Sequence, residues 1–327
     1  MALSLIERKS CREGLRTGRT LRACGSLVAI LMLVLMTLSP TVALAQQDLS
    51  KVEIKTIPLG QGLAMLQGAG GNIGVSTGPD GVLLIDDQYA PLSMKIRTSI
   101  RVWIGEASQD DIRFVLNTHW HGDHTGGNEN FGESGALIMA HDHVRDRLRT
   151  DQVLTLGNRH VPASPKIAWP VVTFEDGLTL HLNGHTIEAI HVEAAHTDGD
   201  AIVYFHEADV LHMGDTYFAG VYPFIDTSSG GGIHGMIAAA ERGLAIAGPK
   251  TRIIPGHGPL ATRQDLEATR EMLIEIRDRV LKLIKDGQDR DQVISANPTQ
   301  KYDGTHGGGF MKPAIFTGIV FDSLAGE

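Results

Sequence analysis

Thr118-His119-Trp120-His121-Gly122-Asp123-His124-Thr125-Gly126-Gly127-Asn128 places three histidines and one aspartate within six residues. The stretch follows Ile112 to Leu116, an apolar run that reads as a buried strand. Gly122, Gly126 and Gly127 end that strand and let the backbone bend tightly. Four side chains able to bind a metal therefore sit on one folded loop at a strand end. His119 and His121, two residues apart, point the same way while the chain is still extended. Asp123 and His124 follow the bend and face a second point nearby. The layout suits two adjacent metals better than one.

Three later stretches use the same device. Ala195-His196-Thr197-Asp198-Gly199-Asp200 follows the apolar segment Thr186 to Val192. Gly214-Asp215-Thr216 follows Val210 to Met213, and Pro255-Gly256-His257-Gly258 follows Arg252 to Ile254. Each sets a ligand-type side chain beside glycine or a small residue just past a strand, and strand ends on one edge of a sheet converge in space. Taken singly, His196 and His257 read equally well as loop histidines and Asp215 as a turn residue. Asp86 and Asp87 close another strand, Val82 to Ile85, where each could reach into a site or cap the next segment. His141-Asp142-His143 is a second His-x-His pair, but no third ligand follows within reach, and Asp142 can serve as a helix N-cap.

The elements between these motifs predict an α/β chain. Strands are expected over Val52 to Pro58, Leu63 to Gln67, Ile73 to Thr77 and Ala136 to Ala140, with shorter ones from Val171 to Met213. Helical periodicity covers Pro91 to Ile104, His143 to Arg149, Ile233 to Ala247, Thr262 to Asp286 and a short final segment from Pro313. Residues 149–170 lack clear periodicity and are expected to form a long loop or a short helix that could border a site. Meandering strands followed by a helix, twice over, predict two mixed sheets packed face to face with helices outside, a four-layer αββα sandwich.

Composition narrows the function. At 42% hydrophobic and 20% charged residues, the chain is of ordinary soluble, globular make-up. Residues 1–45 read as a signal peptide: six basic residues from Arg8 to Arg22, an apolar run from Leu27 to Leu38, then Ala43-Leu44-Ala45. Residues 46–327 are expected to form one domain, periplasmic or secreted. The leader carries six basic and two acidic residues, so the formal charge of −9 becomes −13 without it. An acidic surface argues against nucleic acid or an anionic membrane as partner and leaves a small-molecule substrate. Both cysteines, Cys11 and Cys24, lie in the leader, so the remainder has no disulfide, thiolate ligand or cysteine nucleophile.

Together the motifs resemble the signature of the metallo-β-lactamase superfamily of dinuclear zinc hydrolases, over roughly residues 52–286. The resemblance implies that His119, His121 and His196 hold one Zn2+, that Asp123, His124 and His257 hold a second, and that Asp215 bridges the two. It implies a hydroxide between the metals that attacks a substrate carbonyl, with Asp123 orienting it or taking its proton. Relatives that use iron carry an acid at the position of His121, so histidine there favours zinc. The best-known metallo-β-lactamases carry Cys at the position of Asp215 and Arg at that of His124. This chain is closer to the all-His/Asp pattern of hydroxyacylglutathione hydrolases, lactonases and some β-lactamases. Tyr217, Tyr222, Ser228 and Ser229 lie near Asp215 in sequence and are either substrate contacts or parts of a structural turn. The leader favours a β-lactam-type cyclic amide as substrate. An ester, lactone or thioester is the alternative, and a non-catalytic zinc-binding accessory protein is the reading of another class. If the leader is removed after Ala45, mass spectrometry of protein from a periplasmic fraction will find a chain starting at Gln46; a full-length, membrane-bound species is the opposite result.

Overall fold

The structure is a computed structural model and describes residues 48–105 and 111–325. The expected leader and both cysteines lie outside the described residues. Nine of the strands come before residue 175: β1 Lys55–Gly60, β2 Leu63–Gln67, β3 Ile73–Gly78, β4 Gly81–Ile85, β5 Ile112–Leu116, β6 Leu137–His141, β7 Gln152–Leu154, β8 Arg159–Val161 and β9 Val172–Phe174. All but β7 and β8 form one seven-stranded sheet in the order β1-β2-β3-β4-β5-β6-β9. Its first four strands meander antiparallel, and β4, β5, β6 and β9 run parallel. Helix α1 (Ser93–Ile104) connects β4 to β5, as a parallel pair requires.

The second sheet is β10 (Gly177–Leu182), β11 (His185–His191), β12 (Ala201–Phe205), β13 (Val210–His212), β14 (Arg252–Ile254) and β15 (Ala261–Thr262), hydrogen-bonded in that order. Strands β13 and β14 are parallel and are joined through helix α5 (Ile233–Ile246).

Side-chain alternation builds the layers. In β4, Leu83 and Ile85 face the other sheet, while Val82 and Leu84 face α1. Leu63, Met65, Leu116 and Met139 of the first sheet meet Ile187, Val203, Phe205 and Ile254 of the second in one buried cluster. Outside the first sheet, Val75, Leu84 and Val115 pack on Ile96 and Ile100 of α1. Outside the second, Ile202, Leu211 and Ile253 pack on α5, α6 (Arg263–Lys285) and α9 (Pro313–Leu324). The expected αββα sandwich is thus the fold. The long helix begins and ends where the sequence places it. Thr262 caps α6 through a capping box with Asp265, and Asp286 follows its last residue.

Residues 149–170 differ in part from expectation. They form a hairpin of β7 and β8, which was not expected, and a single helical turn at Lys166–Ala168, in keeping with the short-helix alternative. Helix α4 (Asp142–Leu148) is capped not by Asp142 but by the preceding His141, whose Nδ1 accepts the amide of His143 at 3.2 Å. That bond, and the stacking of His141 on His191 at 3.8 Å, give the second His-x-His pair a structural role. No described helix is long and apolar enough to cross a membrane.

Beyond α6 the chain continues through α7 (Arg290–Ser295), α8 (Asp303–His306) and α9. Tyr222 anchors this tail and is not a substrate contact. It is fully buried, its hydroxyl donates to Thr299 O at 3.2 Å and Asp303 Oδ1 at 2.9 Å, and its ring stacks on Phe316 at 4.9 Å. Tyr222→Phe keeps the stack and loses both bonds, so urea denaturation of the metal-free protein will show a loss of about 1–1.5 kcal/mol.

Candidate metal centre

Every candidate ligand leaves the end of a strand. The loop after β5 carries His119 and His121, then turns through α2 (Gly122–Thr125), which holds Asp123 and His124. His196 lies between β11 and β12, Asp215 follows β13 and His257 follows β14. The parallel pairs β4–β5 and β13–β14 point their carboxyl ends at one crevice, where such sheets commonly bind ligands.

The seven side chains meet there. His119, His121 and His196 form one group with ligand atoms within 4.8 Å of one another; His119, His124 and Asp215 form a second, and Asp123, His124 and His257 a third. Asp215 lies among them all. Its Oδ1 is 3.1 Å from His124 Nε2, and its Oδ2 is 3.5 Å from His196 Nε2, 3.4 Å from His257 Nε2 and 3.9 Å from His119 Nε2. Asp123 Oδ2 is 3.3 Å from His257 Nε2. Asp123 and His257 are about a quarter exposed and the other five are buried, so the cluster opens to solvent on their side.

The outer nitrogen of four imidazoles is already engaged. His124 Nδ1 lies 2.8 Å from Asp86 Oδ2, and His196 Nδ1 lies 2.8 Å from the carbonyl of Phe224. His121 turns its Nε2 to Asp226 Oδ2 at 3.0 Å, which leaves Nδ1 facing His196. His119 Nδ1 is 3.1 Å from the Thr118 hydroxyl. Such partners fix ring orientation and leave the inner nitrogen free for a metal. Asp86 also accepts the Thr118 amide at 2.7 Å and the Thr118 hydroxyl at 2.8 Å, so it positions His124 from outside the cluster. Asp87 instead accepts the Gly127 amide at 2.8 Å, which steadies the turn after α2. Ser228 and Ser229 donate to Asp226, and Tyr217 is buried in the core, so these three belong to structure, as the turn reading had it.

The donors fit metal ions. His119 Nε2 is buried and lacks a hydrogen-bond partner, a costly state unless something else binds it. Two glycines keep the space open. A Cβ on Gly71 would stand 2.0 Å from His124 Cε1, and one on Gly256 would stand 1.9 Å from Asp215 Oδ1. Burial holds His119 well below its ordinary pKa and lowers His196 to about 4, so both offer neutral nitrogens. Burial opposes charge on His257, but Asp215 and Asp123 outweigh it and push that imidazole up to about 9. Burial likewise opposes charge on Asp215, yet His124 and His257 hold its carboxyl well below the usual range.

Several residues of this neighbourhood were not assigned a role from sequence. Asp226 holds His121 from 105 residues away. Asp200 accepts the amides of His196 and Thr197 at 2.6 and 2.8 Å and so shapes the His196 turn. Tyr89 is half-buried on the Asp123 side, its hydroxyl pushed up to about 12 by burial and by Asp123.

Residues 69–276 match the family described as the metallo-beta-lactamase superfamily, and the chain belongs to that superfamily. A hydroxyacylglutathione hydrolase of Nitrosococcus oceani is 32% identical over 149 residues, 45% of this chain and 48% of that protein. The alpha subunit of a 2,4-dinitroanisole O-demethylase from a Nocardioides species is 25% identical over 219 residues, 65% of this chain and 60% of the subunit. The chain thus spans about half the length of the first of these relatives. A metallo-beta-lactamase from Pontibacter korlensis has the same fold, with TM-score 0.54, 18% identity and coverage of 68% of this chain and 99% of that one.

Asp86→Ala leaves His124 without its outer partner and removes both Thr118 bonds that hold the loop carrying His119. Competition with a chromophoric chelator is expected to show metal bound about 10–100-fold more weakly than by the unaltered chain.

Proposed function

We propose that the chain is a two-metal hydrolase that cleaves an activated acyl carbonyl, an ester or thioester by preference. The observation that carries this is Asp215, whose carboxylate lies within 3.9 Å of four imidazole nitrogens drawn from three different loops. On this reading His119, His121 and His196 would hold one zinc and Asp123, His124 and His257 another, with Asp215 placed among both groups to serve as a shared ligand. Nitrogen and carboxylate donors suit zinc, with room left for water and substrate. When bound, such ions polarise a carbonyl oxygen and lower the pKa of water toward neutrality.

The chain's own residues do the rest. Asp123 stands at the open edge. Burial disfavours its charge, but His124 and His257 outweigh burial and keep it ionised, able to orient a water or accept its proton. Asp86, Asp226 and the Phe224 carbonyl hold three imidazoles in fixed orientation, so little reorganises during the reaction.

The likeness to a hydroxyacylglutathione hydrolase favours a thioester or ester. A β-lactam-type cyclic amide is the second reading, favoured by the expected leader, which would place the protein outside the cytoplasm where such compounds act. A non-catalytic accessory role fits poorly with a complete donor set open to solvent at Asp123.

A panel of thioesters, esters, lactones and β-lactams, assayed with and without chelator, tests the reading. Turnover of one class, lost on chelation and regained with zinc, is expected; no metal-dependent turnover of any carbonyl substrate contradicts it. Asp215→Ala will lower that turnover by orders of magnitude and reduce bound zinc from two equivalents. Two tightly held zincs with normal turnover would leave Asp215 a turn residue.

A further inference from the structure

The family match ends at residue 276, but the chain does not leave the site there. The tail beyond α6 returns to it and is tied down at each step. Tyr222 bonds to Thr299 and Asp303, and its amide donates to the His306 carbonyl at 3.2 Å. A Cβ on Gly309 would stand 2.7 Å from Val221 Cγ1, so glycine is what lets the tail press against the segment after β13. Met311 is buried in the outer core.

Between these two packed positions Phe310 stays 60% exposed. Its ring centre lies 6.5 Å from that of His257 and 6.3 Å from that of Phe218. Phe218 is buried and stacks on His257 at 5.1 Å, nearly parallel. His257 and Asp123 form the open side of the cluster, so the tail delivers an aromatic face to that opening. A well-anchored backbone carrying a solvent-exposed Phe is not explained by the core, which Phe310 does not join.

We propose that Phe310 is a specificity residue of the candidate site, and that the substrate carries an apolar group about one ring away from the scissile carbonyl. The apolar group covers Phe310 while the carbonyl faces His257 and Asp123. This rests on the hydrolase reading above. It narrows the substrate class to acyl compounds with an aromatic or bulky aliphatic substituent, and it assigns selection to the tail rather than to the strand-end loops.

Thiols test the wall without turnover, because a thiolate is a ready zinc ligand. The zinc-loaded full chain, Phe310→Ala and Phe310→Leu are titrated calorimetrically with phenylmethanethiol and with ethanethiol. The wild-type chain is expected to prefer the aromatic thiol. Phe310→Ala should bind it about tenfold more weakly, the scale of one lost apolar contact in a pocket, with ethanethiol affinity unchanged. Phe310→Leu should keep part of the preference. Equal binding of the two thiols by the wild type, or a preference that survives in Phe310→Ala, overturns the proposal. A preference lost in Phe310→Ala supports the wall even where no carbonyl substrate is turned over, so failure of the hydrolase reading is told apart from failure of this one.

Discussion

The centre depends on one buried carboxylate that touches no other candidate ligand's inner nitrogen. Asp86 ends β4 and takes three donors from the neighbouring strand's loop: the Thr118 amide, the Thr118 hydroxyl and His124 Nδ1. These bonds hold the loop after β5 against the end of β4 and set the ring plane of His124 at once. To reach them, Asp86 adopts φ of 65°, and Gln88 follows at 57°. Left-handed backbone at non-glycine residues costs about 1 kcal/mol or more each and persists where the surroundings over-determine it. Here the surroundings are the loop itself, since the Asp87 amide donates to the His124 carbonyl at 2.9 Å and the Gln88 side chain donates to the Gly71 carbonyl at 2.7 Å.

The two sheets are locked together at the same place. Asn72, in the turn between β2 and β3, donates its amide to the Gly256 carbonyl at 2.7 Å and its side chain to the Pro255 carbonyl at 2.9 Å. The Ala201 amide donates to the Thr118 carbonyl at 2.8 Å. These bonds tie loops of both sheets together, so their side chains can converge on one site. The glycines at 71 and 256 are the complement of this locking: the His124 ring and the Asp215 carboxylate lie where a Cβ would stand.

What was legible in the sequence followed a local rule. His119 through His124, His196, Asp215 and His257 each stand next to glycine or a small residue just after an apolar run, and strand ends converge. The αββα layering followed from alternation in strands such as β4 and from the clear caps of α6. What was missed depends on contacts without a local signature. Asp226 sits in a Ser- and Gly-rich stretch where nothing marks a partner 105 residues away. Strands β7 and β8 are three residues each, too short for periodicity to register. Tyr222 resembles a site residue because it is close to Asp215 in the chain, but its side chain faces the tail.

Electrostatics separates the aspartates of this region into two kinds, and the division follows their donors. Asp87 and Asp200 accept only from amides and a hydroxyl. Burial wins for both: it pushes Asp200 up to about 8 and Asp87 well above its ordinary value. Asp123, Asp215 and Asp226 face imidazoles, and for them the neighbouring positive charge outweighs burial and keeps them ionised. In the metal-free chain burial opposes charge on His124 and His257, but Asp215 and its neighbouring carboxylates outweigh it and favour their protonated forms, which balance Asp215. A metal ion entering the cluster takes over that role and must displace those protons. The first kind of aspartate holds loops in shape without adding charge. The second concentrates negative charge where only cations can balance it, and this suits the crevice to metal ions rather than to a neutral ligand.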